Sequence, residues 1–444
     1  MKARRNSTGR SQSRSSAPYS KDSRKGDLRH GPKRNGPKRH GPKRTSRPSS
    51  IRAPVRKNAQ LAARQRPAKP DPRPIKQAVF VRPEPTASGD IRLALLTAPG
   101  LGPWAQREME LRRIVVRNIS SYRLRNHDLV TFDIARGLAP SVRELRVVDD
   151  LFTIIVEGFS LHEPAQLRRL GRMELKEKIL KSLPLKGERG NKKRATDYWV
   201  FVKQDRDHEV YRHEVADVLV QNIGASFSHW RAQEPADVEV WAFMIEGRLT
   251  AGVRLTDISF RQRKYRAGER PGALRPPLAA ALVVMSDPSP EDRFIDPMCG
   301  TGTILCERAL WGATESLVGG DIDHEAIEIA RQSAKIIDRP VELYRWDATD
   351  EEALIENAAG ATVLVCNLPF GKRFESSDLR SLYKRALKAW RASLAAGARM
   401  ILLTSERDIL RSAALDVGLK ARTLTVLTTQ GLRATVFEVR NGKG

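Results

Sequence analysis

The sequence predicts an α/β protein with a parallel sheet at its C-terminal end, two small α/β units before it and a basic tail in front. Three observations predict this. Strand-like and helix-like runs alternate from Arg270 onward, the pattern of a parallel sheet with helical crossovers. A glycine turn, Cys299-Gly300-Thr301-Gly302, directly follows the first of those strands. Before about Val79 the chain holds almost nothing apolar to bury.

The tail, residues 1–76, is expected to be disordered. It carries 24 Lys and Arg against 3 Asp, a net of +21, which leaves 55 basic against 49 acidic residues, or +6, for everything after it. A five-residue unit repeats within it as His30-Gly31-Pro32-Lys33-Arg34, then Asn35–Arg39, then His40–Arg44. Pro and Gly in every unit forbid helix and sheet, leaving evenly spaced charge on a solvated chain. Such an arm can hold RNA by counterion release, blind to sequence; a solubilising tail or an organelle transit peptide has a similar composition.

Residues 77–171 form the first small unit. Ile91–Leu96 reads as a strand, Gly100–Pro103 as a turn and Trp104 to about Ile114 as a helix, with further strands at Leu129–Ile134 and Leu151–Val156 and a helix at Pro164–Leu170. A second unit spans 172–256, with a helix at Lys176–Ser182, a strand at Tyr198–Val202 and a helix at Glu209–Ile223. It ends in two strands, Val238–Met244 and Arg248–Leu255, joined by the turn Glu246-Gly247. Between its helices, Lys186–Arg194 is a basic, glycine-containing loop suited to phosphate contact or simply to solvent. A polar linker covers 257–268.

In residues 269–444 the strands are expected at Arg293–Ile295, Leu317–Gly319, Val341–Tyr344, Val363–Cys366 and Met400–Thr404. An antiparallel pair follows, Thr423–Leu427 and Ala434–Val439. Helices at Thr303–Trp311, His324–Ile337, Asp378–Ala395 and Arg407–Val417 fill the crossovers. The longest clean apolar run, Leu278–Met285, is far too short for a membrane span, and the first residues have charge but no apolar signal region. Cys299, Cys306 and Cys366 have no paired spacing, which argues against a disulfide framework or a zinc site and for a reducing compartment.

The first strand ends at Asp296, and Pro297 through Gly300, Thr301, Gly302 and Thr303 leads into a helix, so backbone can come within contact of a ligand at a helix N-terminus. Leu305 occupies the third glycine position of the dinucleotide pattern, which counts against NAD or FAD. Nineteen residues past Gly302, Asp321 and Ile322 end the second strand, where a carboxylate can bind both hydroxyls of a ribose. Asp347 and Ala348 follow the third, where an acid suits an adenine amino group. An adenosine with no pyrophosphate to cradle fits S-adenosyl-L-methionine.

The fourth strand runs into Asn367-Leu368-Pro369-Phe370-Gly371. The Asn367 side-chain oxygen and the Leu368 carbonyl, held outward because Pro369 keeps Leu368 extended, are two adjacent acceptors able to grip one NH2 group. Phe370 offers a flat face for a base. Asn, Pro and Gly also punctuate strands generally. Here the weight lies in the order: glycine turn, ribose acid, adenine acid and amine clamp fall on four consecutive strands.

Arg270-Pro271-Gly272-Ala273-Leu274-Arg275-Pro276-Pro277-Leu278, the turn Asp296–Thr303 and Asn367-Leu368-Pro369-Phe370-Gly371-Lys372-Arg373 together resemble the THUMP-domain RNA methyltransferases that make N2-methylguanosine, among them the tRNA guanosine-6 enzymes. The resemblance covers roughly residues 90–440, strongly in the last domain and diffusely before it. It implies a Rossmann-like class I methyltransferase domain preceded by ferredoxin-like and THUMP domains. It further implies S-adenosyl-L-methionine as cofactor and the acceptor stem and 3′ end of tRNA as partner, in a cytoplasmic, monomeric enzyme without metal. Asn367 and Leu368 would clamp the guanine amine and Phe370 would stack on the base. Asp296, Gly300, Gly302, Asp321 and Asp347 would hold the cofactor. Many amino-methyltransferases carry Asn-Pro-Pro-Tyr at the clamp; Leu368 keeps the backbone acceptor and Phe370 the stacking face, without the hydroxyl. The same chemistry on rRNA or another tRNA guanosine, DNA adenine methylation and a noncatalytic RNA-binding protein are the competing readings.

Overall fold

The computed structural model describes residues 89–186, 196–370, 376–429 and 431–442. The basic tail, Gly187–Arg194 of the basic loop and Gly371–Arg373 lie outside them. The described residues build two β-sheets joined through one continuous apolar core.

The first sheet takes β1 (Asp90–Thr97), β2 (Arg117–Arg123), β3 (Asp128–Ala135), β4 (Asp150–Ser160), β5 (Asp197–Gln204), β6 (Arg231–Ala232), β7 (Val238–Ile245) and β8 (Arg248–Arg254). Their order is β2-β3-β1-β4-β8-β7-β5-β6. Period-two patterning explains why β1 is central. Leu93 and Leu95 enter the core shared with Trp104, while Ala94 and Leu96 pack on the opposite face with Phe152 and Phe243. Strands expected in two separate units thus meet in one sheet, because β4 pairs antiparallel with β8 from Phe152↔Arg254 to Ser160↔Arg248. Helices α1 (Gly102–Leu111), α2 (Ala165–Gly171), α3 (Lys176–Lys186) and α4 (Arg212–Ser226) accompany this sheet. In the segment expected as a linker, Ile258–Gln262 forms a short helix, α5, capped by the Asp257 carboxylate, and Tyr265 is buried.

The run Leu278–Met285 becomes the end of α6 (Pro276–Met285), every residue of which is buried. An apolar surface all round requires cover on all sides, and α6 has it: α1 packs on one side and α7 (Thr303–Trp311) on the other. Ion pairs stitch the same boundary, Arg107 to Asp287 at 2.9 Å, Arg275 to Asp149 at 2.5 Å and Arg146 to Glu307 at 2.5 Å. Tyr265 adds a 2.6 Å hydrogen bond to Glu307.

The second sheet holds β9 (Arg293–Asp296), β10 (Ser316–Asp321), β11 (Glu342–Arg345), β12 (Val363–Asn367), β13 (Arg399–Thr404), β14 (Ala421–Thr429) and β15 (Leu432–Arg440). The order is β11-β10-β9-β12-β13-β15-β14, parallel through β13 and antiparallel in the last two. Helices α8 (His324–Ile337), α9 (Glu351–Ala358), α10 (Ser376–Ser393) and α11 (Arg407–Asp416) lie in the connections. Strand order reverses between β9 and β12, and in such sheets the crevice outside the carboxyl ends at that point is where ligands bind. No helix among the described residues is long and apolar enough to cross a membrane.

Candidate active site

The carboxyl ends of β9, β10, β11 and β12 bring the sequence-selected residues to one edge. Asp296 closes β9 and is 1% exposed. One of its oxygens accepts from the Met298 N–H at 3.3 Å, and the other is buried without a partner among the described residues. Burial, reinforced by the nearby Asp321 charge, holds its carboxyl well above the usual carboxylate range; hydrogen bonds from Met298 and the Cys366 thiol act against the shift. A buried acid with a free oxygen beside a glycine turn is equipped to receive a polar ligand group.

The turn itself bends through Gly300 at φ +53 and Gly302 at φ +77, a region side chains rarely adopt. The two glycines differ in surroundings. A Cβ on Gly300 would meet nothing within 4 Å, so this stretch of backbone faces open space that a ligand can fill. A Cβ on Gly302 would lie 3.0 Å from the Ala330 side chain, so Gly302 lets α8 approach the start of α7. Thr301 and Thr303 are buried beside them, and Pro297 is buried behind.

Asp321 ties the second strand to this turn. Its Oδ2 accepts from the Gly300 N–H at 2.8 Å and its Oδ1 from the Asp323 N–H at 2.9 Å. Both oxygens retain lone pairs for a ligand. Ile322 beside it is 65% exposed, an apolar surface at the mouth of the crevice. Asp347 accepts from the Thr349 N–H at 2.8 Å in a turn after β11, and the buried Ala348 offers its carbonyl to Trp390 Nε1 at 3.0 Å.

At the end of β12, Asn367 Oδ1 is buried with no partner among the described residues. Leu368 is buried and its N–H donates to the Leu403 carbonyl at 3.0 Å, while Pro369 and Phe370 are half-buried. Of the sequence-selected clamp, Gly371 alone lies outside the described residues.

Three neighbours escaped sequence reasoning. Trp346 stands so close over Gly320 that a Cβ there would fall 1.9 Å from its ring, and its Nε1 donates to the Pro297 carbonyl at 3.1 Å. Cys366 reaches Asp296 from the neighbouring strand. Tyr383 of α10 donates to the Pro369 carbonyl at 2.6 Å; burial holds its phenol well above its ordinary range, so it stays a donor. Only Trp346, an aromatic directly before an acid at a strand end, left a signal that pattern reading could have used.

Residues 263–435 match the UPF0020 family, described as an RMKL-like methyltransferase domain. Over 188 residues the chain is 32% identical to a tRNA (guanine(6)-N2)-methyltransferase of Thermus thermophilus, covering 42% of this chain and 55% of that one. Over 219 residues it is 29% identical to the human tRNA (guanine(6)-N(2))-methyltransferase THUMP3, covering 45% and 42%. The matched stretch thus spans about half the length of these curated relatives. The crystal structure of TrmN from Thermus thermophilus superposes with a TM-score of 0.65 at 23% identity, over 79% of this chain and 99% of that one, so the fold is shared well beyond the matched domain. The residues that form the parallel sheet with its switch point between β9 and β12 are thus the ones that resemble the RMKL-like methyltransferase domain.

Proposed function

We propose that the protein is an S-adenosyl-L-methionine-dependent methyltransferase forming N2-methylguanosine in tRNA, at position 6 of the acceptor stem. The observation that carries the reading is Asn367 Oδ1, a buried acceptor without a partner among the described residues, at the end of β12 on the strand next to the glycine turn. An unmet buried acceptor costs about 1–3 kcal/mol, a cost that a donor on the substrate would remove.

The residues present suit the cofactor. Among the described residues one buried oxygen of Asp296 has no partner, Gly300 fronts open space and Asp321 keeps acceptor capacity. Bound S-adenosyl-L-methionine supplies an electrophilic methyl group. Asn367 Oδ1 and the Leu368 carbonyl accept the two N–H hydrogens of the guanine amine, which directs the nitrogen lone pair away from them. Phe370 covers the base face. Orientation of this kind lowers a barrier by several kcal/mol, roughly, without a general base of tuned pKa. To reach an amine within a stem, the enzyme takes the guanosine out of the stack at a cost of about a few kcal/mol.

The two units at 77–171 and 172–256 serve, on this reading, as ferredoxin-like and THUMP modules that hold the tRNA 3′ end. The enzyme works as a cytoplasmic monomer. The names of the relatives support tRNA over rRNA. Nucleoside mass spectrometry with site mapping on tRNA and rRNA from cells with and without the gene tests it. Loss of N2-methylguanosine at one acceptor-stem position is expected. Loss from rRNA would move the target, and no change in either would favour a noncatalytic RNA-binding protein.

A further inference from the structure

We infer that Tyr383 and Thr404 are positioning residues that set the aim of the amine clamp; this rests on the proposed methyl transfer. The turn after β12 is anchored on both sides of the Leu368 carbonyl. Before it, the Leu368 N–H donates to the Leu403 carbonyl at 3.0 Å, which fixes the Asn367–Leu368 peptide plane. After it, the Pro369 carbonyl receives the Tyr383 hydroxyl at 2.6 Å, which fixes the Pro369–Phe370 peptide plane.

The proton order in this second anchor has one solution. A carbonyl only accepts, so Tyr383 donates its single hydrogen to Pro369. The 2.9 Å contact between Tyr383 Oη and Thr404 Oγ1 must then have Thr404 as donor. Thr404 Oγ1 in turn accepts from the Glu406 N–H at 2.9 Å. Backbone N–H, threonine, tyrosine and carbonyl therefore form a directed chain, and its two side chains are both fully buried. Water does not compete there, and a chain of this kind polarises along its length. Both anchors come from the same place, the carboxyl end of β13, with α10 supplying the tyrosine. A clamp of backbone carbonyl and side-chain amide has no rigidity of its own, and β13 with α10 provides it.

The test compares Tyr383→Phe, Thr404→Val and the double variant with wild type, measuring cofactor Kd, thermal unfolding, and kcat and KM on tRNA. Each single variant is expected to lose tenfold or more in kcat, with cofactor Kd and KM within about threefold and the protein folded at assay temperature. The double variant is expected to be no worse than the worse single one, since either change interrupts the same chain. Thr404→Ser, which keeps the hydroxyl, should recover most of kcat. Full turnover in both single variants, or loss of cofactor binding and kcat in parallel, overturns the positioning role alone. Absence of methyl transfer to RNA by the wild type overturns the reading beneath it, and this inference with it.

Discussion

On the proposed function, Asn367 and Asp321 divide the work of the site, and their substitutions separate it. Asn367→Ala removes one of two acceptors for the amine and is expected to lower kcat by about 100- to 1,000-fold, while cofactor affinity by calorimetry stays within about twofold. Asp321→Ala removes both the ligand-facing carboxylate and the brace on the Gly300 N–H; cofactor Kd should rise about tenfold to a hundredfold, since a hydrogen bond to a charged group contributes about 1.5–3 kcal/mol. A third expectation concerns pH. Burial first, then the charges of Lys203, Arg275 and Arg261, push the His127 imidazole down to about 4 from 6.5. The folded protein therefore keeps His127 neutral where the unfolded chain would protonate it. The resulting stability is whole above pH 6.5 and is lost as pH falls toward about 4. Urea titrations across that window should show a flatter pH dependence for His127→Gln. At this level the sequence was legible in position: Asp296, Asp321 and Asn367 each close a strand, where the pattern of the sequence puts them. Cys366 and Tyr383 were hidden because each looks like ordinary core filling until tertiary structure supplies its partner.

Glycine at 320 illustrates what an element demands of a single position. β10 passes under the Trp346 ring, so Gly320→Ala forces the indole away and breaks its bond to the Pro297 carbonyl, behind the glycine turn. A loss of roughly 1–3 kcal/mol in unfolding free energy is expected for such overpacking, together with weaker cofactor binding; fluorescence-monitored unfolding in urea measures the first. Elements with a clear period were readable: Thr303–Trp311 and His324–Ile337 stand where helical spacing puts them, the second capped by the Asp323 carboxylate. Among the elements missed, three show the physical reasons. Helix α6 is apolar on every side and so shows no period. Strand β2 is a polar edge strand, irregular near Asn118 at φ +49. Helix α9 is short, though its Asp350 cap, accepting from Glu352 and Ala353 N–H groups at 3.0 and 3.2 Å, was a usable signal.

Across the whole molecule, Glu307 is the polar pin between the first sheet and the second. It takes Arg146 from one side and Tyr265 and Arg263 from the segment between, all on the helix that starts at the glycine turn. Glu307→Ala strands buried guanidinium groups and should cost about 3–5 kcal/mol, read as a lower denaturant midpoint. The merging of two small units into one sheet was the least legible property in the sequence, because nothing in the local pattern of residues 150–160 says that their partner lies near 250.

That pairing also imposes an order of events on synthesis. When β4 leaves the ribosome, its partner β8 is still about ninety residues from being made, and α6, which covers the core behind β1, is later still. Until then the nascent chain carries an open strand edge and an uncovered apolar layer, the conditions under which chains associate with one another. Chaperone demand should therefore peak in the middle of translation and fall once residue 285 has emerged.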